Sequence, residues 1–541
     1  MRVNSHVMKR SSLFVVAAVL VMLAGCSKGN YQASTNGQRT DNVLRYPIPT
    51  VPTSLDPGVV QDGDTIDMLQ QVYEGLVTWG EDNQPHPLLA EKWEMQDGGR
   101  SYLFTLKKGV KFFNGREVTA DDFKWTWERN CSSELKSETV TSYLGDVVGV
   151  KEMRAGTATS ISGVTVVDKY HLKVTIDKPR PYFLGKLTYI VSAVLAKEAL
   201  DGNKEIGKVE QMMGTGPFKP TKYEPSQLMV LDANADYHGG KPALERIERP
   251  VILDAATRLN KFKSGELDVC LIQRQDVKGV QDDPTFKSQL HFSPRPSVFY
   301  IGMNCTGKDY APFKDRRVRQ AIGMAIDRER ICKDILGGIN EPAYSIVPPG
   351  VIGHREKAQS LPYDPVAAKK LLAEAGFPDG KGLPAVEMRF RDGYRDVSIV
   401  AEEVAAELKQ NLGMDVSLKV TEWKAYLERY NRGQNPFYHM RWAADYLDPQ
   451  NFLSTMLATF GPENHHGYNN PEFDKLCAEA DALLDTPKRL ELYAKAEDIA
   501  LQDASWVPIY FQRDAELISP RVKNLRESLF GHLPHTTTSV K

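Results

Sequence analysis

The stretch VSIVAEEVAAELKQNLGMDVSLKV, residues 397–420, predicts a helix, a stop and a strand in direct succession. Valine and leucine recur at three- and four-residue steps over residues 397–412, which is the spacing of one apolar face of an α-helix. Gly413 follows at once and is typical of a helix C-terminus. Apolar residues then alternate with polar ones over residues 416–420, the period of a β-strand. A helix that leads into a strand favours α/β packing in this part of the chain.

The rest of the chain carries the same mixture of short patterns. Residues 101–107 alternate apolar and polar side chains and predict a strand, and residues 164–176 predict a hairpin. Thr119-x-x-Asp122 resembles a capping box, so a helix is expected to begin there. A last strand is expected near residues 507–511. We therefore predict an α/β fold.

The composition is that of a soluble globular protein. The 541 residues are 41% hydrophobic and 26% charged, with a formal net charge of −2. Such a balance attracts neither DNA nor an anionic membrane, so no nucleic-acid partner is predicted. Five cysteines besides Cys26 show no metal-binding spacing and are expected to be mostly small buried hydrophobic residues. They are Cys131, Cys270, Cys305, Cys332 and Cys477.

The N-terminus predicts export and a lipid anchor. A basic start at Lys9-Arg10 precedes an apolar run over residues 13–24, which is too short to span a bilayer core of about 30 Å. Residues 1–25 are therefore predicted to be a signal peptide. The sequence LAGC that ends at Cys26 resembles the lipobox of bacterial lipoproteins, which implies a diacylglycerol on Cys26. The polar residues 26–42 are then expected to form a flexible tether between lipid and fold.

Motifs for catalysis are missing from the sequence. It contains no P-loop, no G-x-S-x-G elbow and no G-x-G-x-x-G segment. The pair His465-His466 has no companion ligand motif and is expected to lie in a surface loop. The acidic pairs Asp121-Asp122 and Glu402-Glu403 are expected on solvated helix faces. We therefore predict no catalytic residue, no metal and no cofactor, and expect a binding protein.

Eight motifs in order along the chain resemble one family. Together they look like bacterial family 5 extracellular solute-binding proteins, which include the oligopeptide- and dipeptide-binding components of ABC importers. The resemblance covers about residues 43–520. The motifs are PTSLDP (52–57), YEGL (73–76), LAEKW (89–93), VTADDF (118–123), GTGPF (214–218), FKDRRVRQA (313–321), AEAGF (373–377) and WAADYLDP (442–449).

The resemblance implies a two-lobed periplasmic-binding-protein fold with a hinge between the lobes. It divides the chain into three domains. Domain I is expected to combine residues 43–75, 214–304 and 503–541. Domain II is expected at 76–213 and domain III at 305–502.

The resemblance also implies a ligand site. In the oligopeptide binders an Asp in a Trp-x-x-Asp-Tyr segment holds the α-ammonium of the peptide, and Asp445 after Trp442 is the match here. The backbone from Arg441 to Ala443 would pair with the peptide as an added strand. Tyr143 and Trp423 match positions that line the ligand cavity, although core packing explains them equally well.

The chain departs from the family at the other end of the peptide. Basic residues that engage the peptide C-terminus in oligopeptide binders align with Val397 or Ser398, with Tyr430 and with His439. Only His439 could be cationic, and only partly near neutral pH. Five arginines are alternative partners for a carboxylate, although a surface role is the default for each. They are Arg389, Arg391, Arg395, Arg432 and Arg441.

The sequence therefore predicts a monomeric, lipid-anchored receptor that binds peptides and delivers them to ABC permease subunits. Three alternatives stay open. The same fold could bind a nickel complex, an oligosaccharide, a bile acid or an opine. The chain could also be a surface enzyme that uses its acidic pairs, or a sensor or chaperone without a transporter.

Overall fold

The computed structural model describes residues 39–541. The predicted signal peptide, Cys26 and tether residues 27–38 lie outside the described residues. Fifteen α-helices lie within them. They are α1 Gly63–Leu69, α2 Ala120–Cys131, α3 Val140–Leu144, α4 Val150–Arg154, α5 Phe183–Lys186, α6 Ala255–Lys263, α7 Arg274–Gln281, α8 Arg316–Met324, α9 Arg328–Arg330, α10 Pro365–Glu374, α11 Arg395–Leu412, α12 Trp423–Asn431, α13 Ser454–Leu457, α14 Pro471–Ala482 and α15 Thr486–Gln502.

The same part of the chain contains 21 strands. They are β1 Val43–Arg45, β2 Val77–Trp79, β3 Pro85–Pro87, β4 Ala90–Gln96, β5 Ser101–Leu106, β6 Val164–Asp168, β7 His171–Thr175, β8 Phe218–Glu224, β9 Leu228–Ala233, β10 Arg246–Pro250, β11 Val269–Leu271, β12 Leu290–Met303, β13 Glu341–Pro342, β14 Val386–Arg391, β15 Val416–Thr421, β16 Phe437–Ala443, β17 Trp506–Ile518, β18 Val522–Lys523, β19 Glu527–Ser528, β20 Gly531–His532 and β21 Ser539–Val540.

Three sheets organise the fold. A four-stranded sheet has the order β1-β10-β9-β8, and a second has the order β4-β5-β7-β6. The largest has seven strands in the order β11-β17-β12-β16-β14-β15, with β13 paired to β17. Helices pack on these sheets, as where Trp127 of α2 and Phe104 of β5 share one buried cluster. The mixture of helix and sheet agrees with the predicted α/β class.

Two long strands form the centre of the largest sheet. β12 and β17 run antiparallel, with Leu290–Pro294 opposite Arg513–Leu517 at one end. Their register shifts between Pro294 and Val298, and residues 298–302 then pair with residues 506–511. β11 joins β17 at the first end, whereas β16 joins β12 only from Ser297 onward. The domain limits expected near residues 305 and 503 both lie just outside these strands and stay predictions.

The stretch 397–420 has the predicted structure. α11 ends at Gly413, which takes a left-handed conformation at φ 69°, and β15 follows. β14 and β15 pair in parallel on either side of α11, which is the β-α-β arrangement of α/β packing. β15 is the edge of the sheet, so Leu418 and Val420 stay 36% and 52% exposed. The alternation identified the strand, but its edge position leaves both faces uncovered.

Two sequence motifs meet at one junction. A Cβ atom at Gly214 would lie 1.9 Å from the carbonyl oxygen of Val72, so only glycine permits this approach. The hydroxyl of Thr215 donates to Oε2 of Glu74 at 2.7 Å, and that of Tyr237 donates to Oε1 at 2.7 Å. Glu74 is buried, so these bonds satisfy a carboxylate that would otherwise be costly to bury. The YEGL and GTGPF motifs thus contact each other through Glu74 and Thr215, and this contact is structural.

The cysteines behave largely as predicted. Four are buried and Cys305 is partly exposed, and all five described cysteines are free thiols. Within residues 39–541 no helix combines the length and the apolar character that a membrane crossing requires.

Candidate functional site

Asp445 and Trp442 lie where β16 ends, and one amide positions both. The backbone N–H of Asp445 donates to Oδ1 of Asn451 at 3.0 Å, and Nε1 of Trp442 donates to the same oxygen at 3.1 Å. Nδ2 of Asn451 in turn donates to Oδ2 of Asp445 at 3.3 Å. Asn451 is only 1% exposed, so the two predicted site residues are fixed by a buried side chain.

The carboxyl group of Asp445 is held in a poorly solvated environment. Burial raises the pKa of Asp445 to about 6, and the nearby charge of Glu463 adds to this effect. Hydrogen bonds from Asn451 and Tyr143 and the charge of Lys186 lower the pKa, but they do not compensate. Asp445 forms no ion pair within residues 39–541. A cation brought to this carboxylate would therefore relieve its desolvation.

Aromatic side chains from the 76–213 segment face Asp445. Tyr143 stacks on Tyr189 with 3.7 Å between ring centroids. Burial raises the pKa of both phenols, and the negative charge of Asp445 raises them further. The structure thus brings the predicted residues Tyr143 and Asp445 together, although they are far apart in sequence. Tyr143 is also part of the hydrophobic core, so the alternative of core packing applies to it as well.

One edge of β16 has no strand partner beside Asp445. β16 pairs with β12 along its whole length, whereas β14 pairs only with Phe437 and Tyr438 on the other side. Within the described residues no strand pairs with 439–443 on that second side. Arg441 to Ala443, which were predicted to pair with a peptide, lie on this edge. An extended peptide could add here as a further strand through its main chain.

Trp423 packs on a guanidinium instead of lining a purely apolar wall. The guanidinium of Arg391 lies 3.8 Å from the centroid of the Trp423 ring and 4.4 Å from that of Tyr394. Burial lowers the pKa of Arg391, and the charge of Arg441 is among the further causes. Neither arginine forms an ion pair within residues 39–541, and Nη1 of Arg441 donates to Oε1 of Gln512 at 3.1 Å. Two cations thus share one region, and no ion pair among the described residues neutralises either of them.

The positions that align with the basic residues of the family carry no positive charge. His439 is 1% exposed and its Nδ1 lies 3.3 Å from the carbonyl oxygen of Val397. Burial lowers the pKa of His439 to about 4, so the ring is neutral near pH 7. The expectation of a partial cation there is therefore wrong. Tyr430 is buried, with its hydroxyl 3.4 Å from that of Tyr300.

His466 corrects another expectation. It is 2% exposed rather than part of a surface loop, because the loop folds inward and the carbonyl of His466 accepts from the N–H of Cys305 at 2.7 Å. Burial lowers the pKa of His466 to about 3. His465 is partly exposed and lies 3.2 Å from Oε2 of Glu463. The two rings thus occupy different environments and do not form a ligand pair.

One expectation about the acidic pairs is also wrong. Asp122 is buried rather than solvated, because it accepts hydrogen bonds from the backbone N–H of Thr119 at 2.8 Å and from Arg116 at 2.8 Å. The contact with Thr119 belongs to the predicted capping box at the start of α2, and Arg116 adds an ion pair to it. The role of Asp122 is therefore to hold the helix terminus.

One cluster has donor atoms suited to a metal. Oxygens of Glu516 and Glu527 lie 2.9 and 3.1 Å from Nε2 of His532, whose side chain is 4% exposed. Burial alone would lower the pKa of His532, but the two glutamates raise it to about 10. The protonated imidazole therefore acts as an ion-pair partner of the two carboxylates and, in this state, offers no lone pair at Nε2 to a metal ion.

Several residues beside Asp445 carry no local sequence signal. Asn451, Lys186, Tyr189 and Glu463 are ordinary polar and aromatic residues in sequence. Only Asn451, which lies six positions beyond Asp445 in the same motif region, could have been suspected from its spacing. The others reach the site through tertiary packing.

Comparison with known proteins identifies the family of the chain. The chain matches the family model described as bacterial extracellular solute-binding proteins, family 5 Middle, over residues 84–464. It is 30% identical to heme-binding protein A of Haemophilus influenzae, over 97% of this chain and 98% of that protein. It is 29% identical to the oligopeptide-binding protein OppA of Bacillus subtilis, over 96% of this chain and 97% of that protein.

Solved structures show the same architecture. The murein tripeptide binding protein MppA of Escherichia coli aligns with a TM-score of 0.77 at 26% identity, over 93% of this chain and 99% of that one. The structural neighbours are two-lobed periplasmic binding proteins, so the predicted α/β fold of two lobes with a hinge is confirmed. The relatives are binding proteins rather than enzymes. The chain therefore belongs to the bacterial extracellular solute-binding proteins of family 5.

Proposed function

We propose that this protein is a lipid-anchored receptor that captures peptides outside the cytoplasmic membrane and delivers them to the permease of an ABC importer. The observation that carries the proposal is the carboxyl group of Asp445, which is desolvated and forms no ion pair among residues 39–541. The α-ammonium of a peptide supplies the missing cation. The unpaired edge of β16 beside Asp445 suits the peptide main chain.

The carboxylate end of the peptide would be bound by Arg391 and Arg441. Arginine offers a bidentate fork to a carboxylate, and stacking between Trp423 and Tyr394 orients the Arg391 fork. The neutral His439 cannot take this role near pH 7. The site would thus have a negative group at one end and positive groups at the other, which matches the two termini of a short peptide.

Binding measurements with other classes of solute test whether the ligand is a peptide. A calorimetric screen should compare tripeptides to pentapeptides with oligosaccharides, bile acids and nickel complexes. We expect binding only from the peptides, and each peptide should be recovered intact. Binding of another class alone would reassign the ligand, and turnover of the ligand would favour the surface enzyme. Loss of peptide uptake on deletion of the gene separates the receptor from a sensor or chaperone.

Peptide affinity is expected to fall in acid. Asp445 pairs with an ammonium in its ionised form, and its pKa in the unliganded protein is about 6. The carboxylate is largely ionised above pH 7, whereas below pH 6 each unit of acidification should cost about tenfold in affinity. Calorimetric titration of one tripeptide between about pH 5 and 7.5 measures the profile. A flat profile over this range would exclude Asp445 as the ammonium partner.

Acylation is expected at Cys26. Its basis is the LAGC sequence directly after the apolar run of the signal peptide. Metabolic labelling with a fatty acid should mark the wild type, whereas Cys26→Ala should stay unlabelled and accumulate as precursor. Label that persists in Cys26→Ala would remove the lipid anchor from the proposal.

A further inference from the structure

Three residues of one short segment surround the ring of Tyr446. The ring of Tyr182 stacks on it at 5.4 Å between centroids and 12° between planes. Nζ of Lys186 lies 5.6 Å from the centroid of Tyr446 and 5.7 Å from that of Tyr182. Gly185 lies beside the base of this side chain, since a Cβ atom there would make ordinary van der Waals contact with Cβ of Tyr446 at 3.6 Å. We call Tyr182, Gly185 and Lys186 the Tyr446 clasp.

The Tyr446 clasp connects two parts of the chain that are predicted to form different domains, II and III. Residues 182–186 belong to the 76–213 segment, whereas Tyr446 belongs to the 305–502 segment. Tyr446 directly follows Asp445, and both side chains contact residues of the first segment. A contact at Tyr446 therefore fixes the position of the Asp445 backbone relative to that segment.

A network of charges holds Lys186 in this position. Its Nζ donates to Oδ2 of Asp146 at 2.6 Å, and its side chain is only 9% exposed. Nε of Arg180 lies 3.3 Å from Oδ1 of Asp146, and Nη1 of Arg180 donates to the hydroxyl of Tyr182 at 2.8 Å. A cation over an aromatic ring is most favourable when it is desolvated in this way.

We propose that Lys186 is a positioning residue of the peptide site, where its contact with Tyr446 holds the cleft closed over bound peptide and slows release. This rests on the proposed peptide-binding function. Closure would be favoured because a peptide that contacts both segments binds the closed state better. Lys186 acts through Tyr446 and has no need to touch the peptide.

Removal of the charge of Lys186 should also change the pH dependence of peptide affinity. The polar and charged groups around Asp445 are Tyr143, Tyr189 and Lys186 of the 76–213 segment and Asn451 and Glu463 of the 305–502 segment. Lys186 is the cation of this set, and its charge favours the ionised carboxylate. Its removal should move the pH at which affinity is half lost to a higher value. A purely structural contact would leave that pH unchanged.

The test is the release rate of a fluorescent tripeptide with a free α-amino group, displaced by excess unlabelled peptide. Lys186→Met should release it roughly tenfold faster than the wild type. Arg180 remains beside Asp146 in this variant, so no carboxylate is left without a cation. Lys197→Met is the matched control, because Nζ of Lys197 lies 5.8 Å from the Trp125 ring outside the Tyr446 clasp. It should release peptide at the wild-type rate.

A second variant separates the ring from the charge. Tyr446→Leu removes the ring but keeps Lys186, so release should accelerate with a smaller shift of the pH profile. Wild-type release rates in both Lys186→Met and Tyr446→Leu would overturn the inference and leave the peptide function intact. A wild type that binds no tripeptide would instead remove the peptide function, and the clasp with it.

Discussion

Asp445→Asn is expected to lower the affinity for a peptide with a free α-amino group by about 2–5 kcal/mol, the range for breaking a buried charge pair. The substitution keeps the shape of the side chain and removes its charge, so it separates electrostatics from packing. The large effect is expected because burial raises the pKa of Asp445 and the carboxylate forms no ion pair within residues 39–541, where the nearby Lys186 is paired with Asp146. Isothermal titration with one tripeptide measures the loss.

An N-acetylated form of the same peptide is the control. It lacks the ammonium, so it should bind the wild type poorly and lose little more with Asp445→Asn. This non-additivity is the signature of a direct pair. If both peptides lose equal affinity, Asp445 is a structural residue and the ammonium assignment fails.

The unliganded Asp445→Asn protein should be at least as stable as the wild type near pH 7. The folded-state pKa of Asp445 is about 6, above the value of about 3.9 in an unfolded chain. The folded state therefore binds more protons between these values, and stability from this group is lost as the pH rises through 6. The amide of the Asp445→Asn variant does not titrate, so the variant does not lose this part of its stability. Weaker binding with an equal or higher melting temperature would mark a residue that serves the ligand.

Asp56→Ala is expected to lower the free energy of unfolding by about 3–5 kcal/mol, because it leaves a buried cation without its partner. Asp56 is fully buried and accepts from both terminal nitrogens of Arg129 and from the N–H groups of Gly58 and Ile206. Asp56 therefore connects the N-terminal part of the described chain to α2 and to the backbone at Ile206. Chemical denaturation followed by circular dichroism measures the change.

Asp232→Ala is the matched control for Asp56→Ala. Asp232 accepts from Nε of Arg246 at 2.6 Å, but both side chains are substantially exposed. An exposed pair of this kind contributes about 0–1 kcal/mol. Equal losses in the two variants would show that burial does not decide the contribution of Asp56.

Local elements could be predicted from the sequence where one segment determines them. The helix and strand of residues 397–420 follow from periodicity alone, and α11 and β15 have the expected order. β12 could not be predicted in full, because Pro294 and Pro296 argue against a continuous strand. The structure accommodates them through the register shift between Pro294 and Val298. The register shift becomes visible only from the pairing of β12 with its neighbour β17.

The binding site could be predicted from the sequence only where its residues lie in one short segment. Asp445 and Trp442 lie in one short motif, whereas Lys186 and Tyr189 reach Asp445 only through packing of distant segments. The absence of a companion ligand motif predicts a surface loop for His466, but tertiary contacts bury this residue. The residue type alone predicts a partial charge on His439, which burial removes. Sequence identifies the residue types, and the surroundings decide their charge.

A protein that holds peptides by their α-ammonium at Asp445 should carry such peptides when it leaves the cell. Native mass spectrometry of the protein purified without added ligand tests this most directly, followed by release and sequencing of what it carries. We expect short peptides with free N-termini, and we expect Asp445→Asn to lose them. A tetrapyrrole, a glycan, a bile acid or a nickel complex in their place would contradict it.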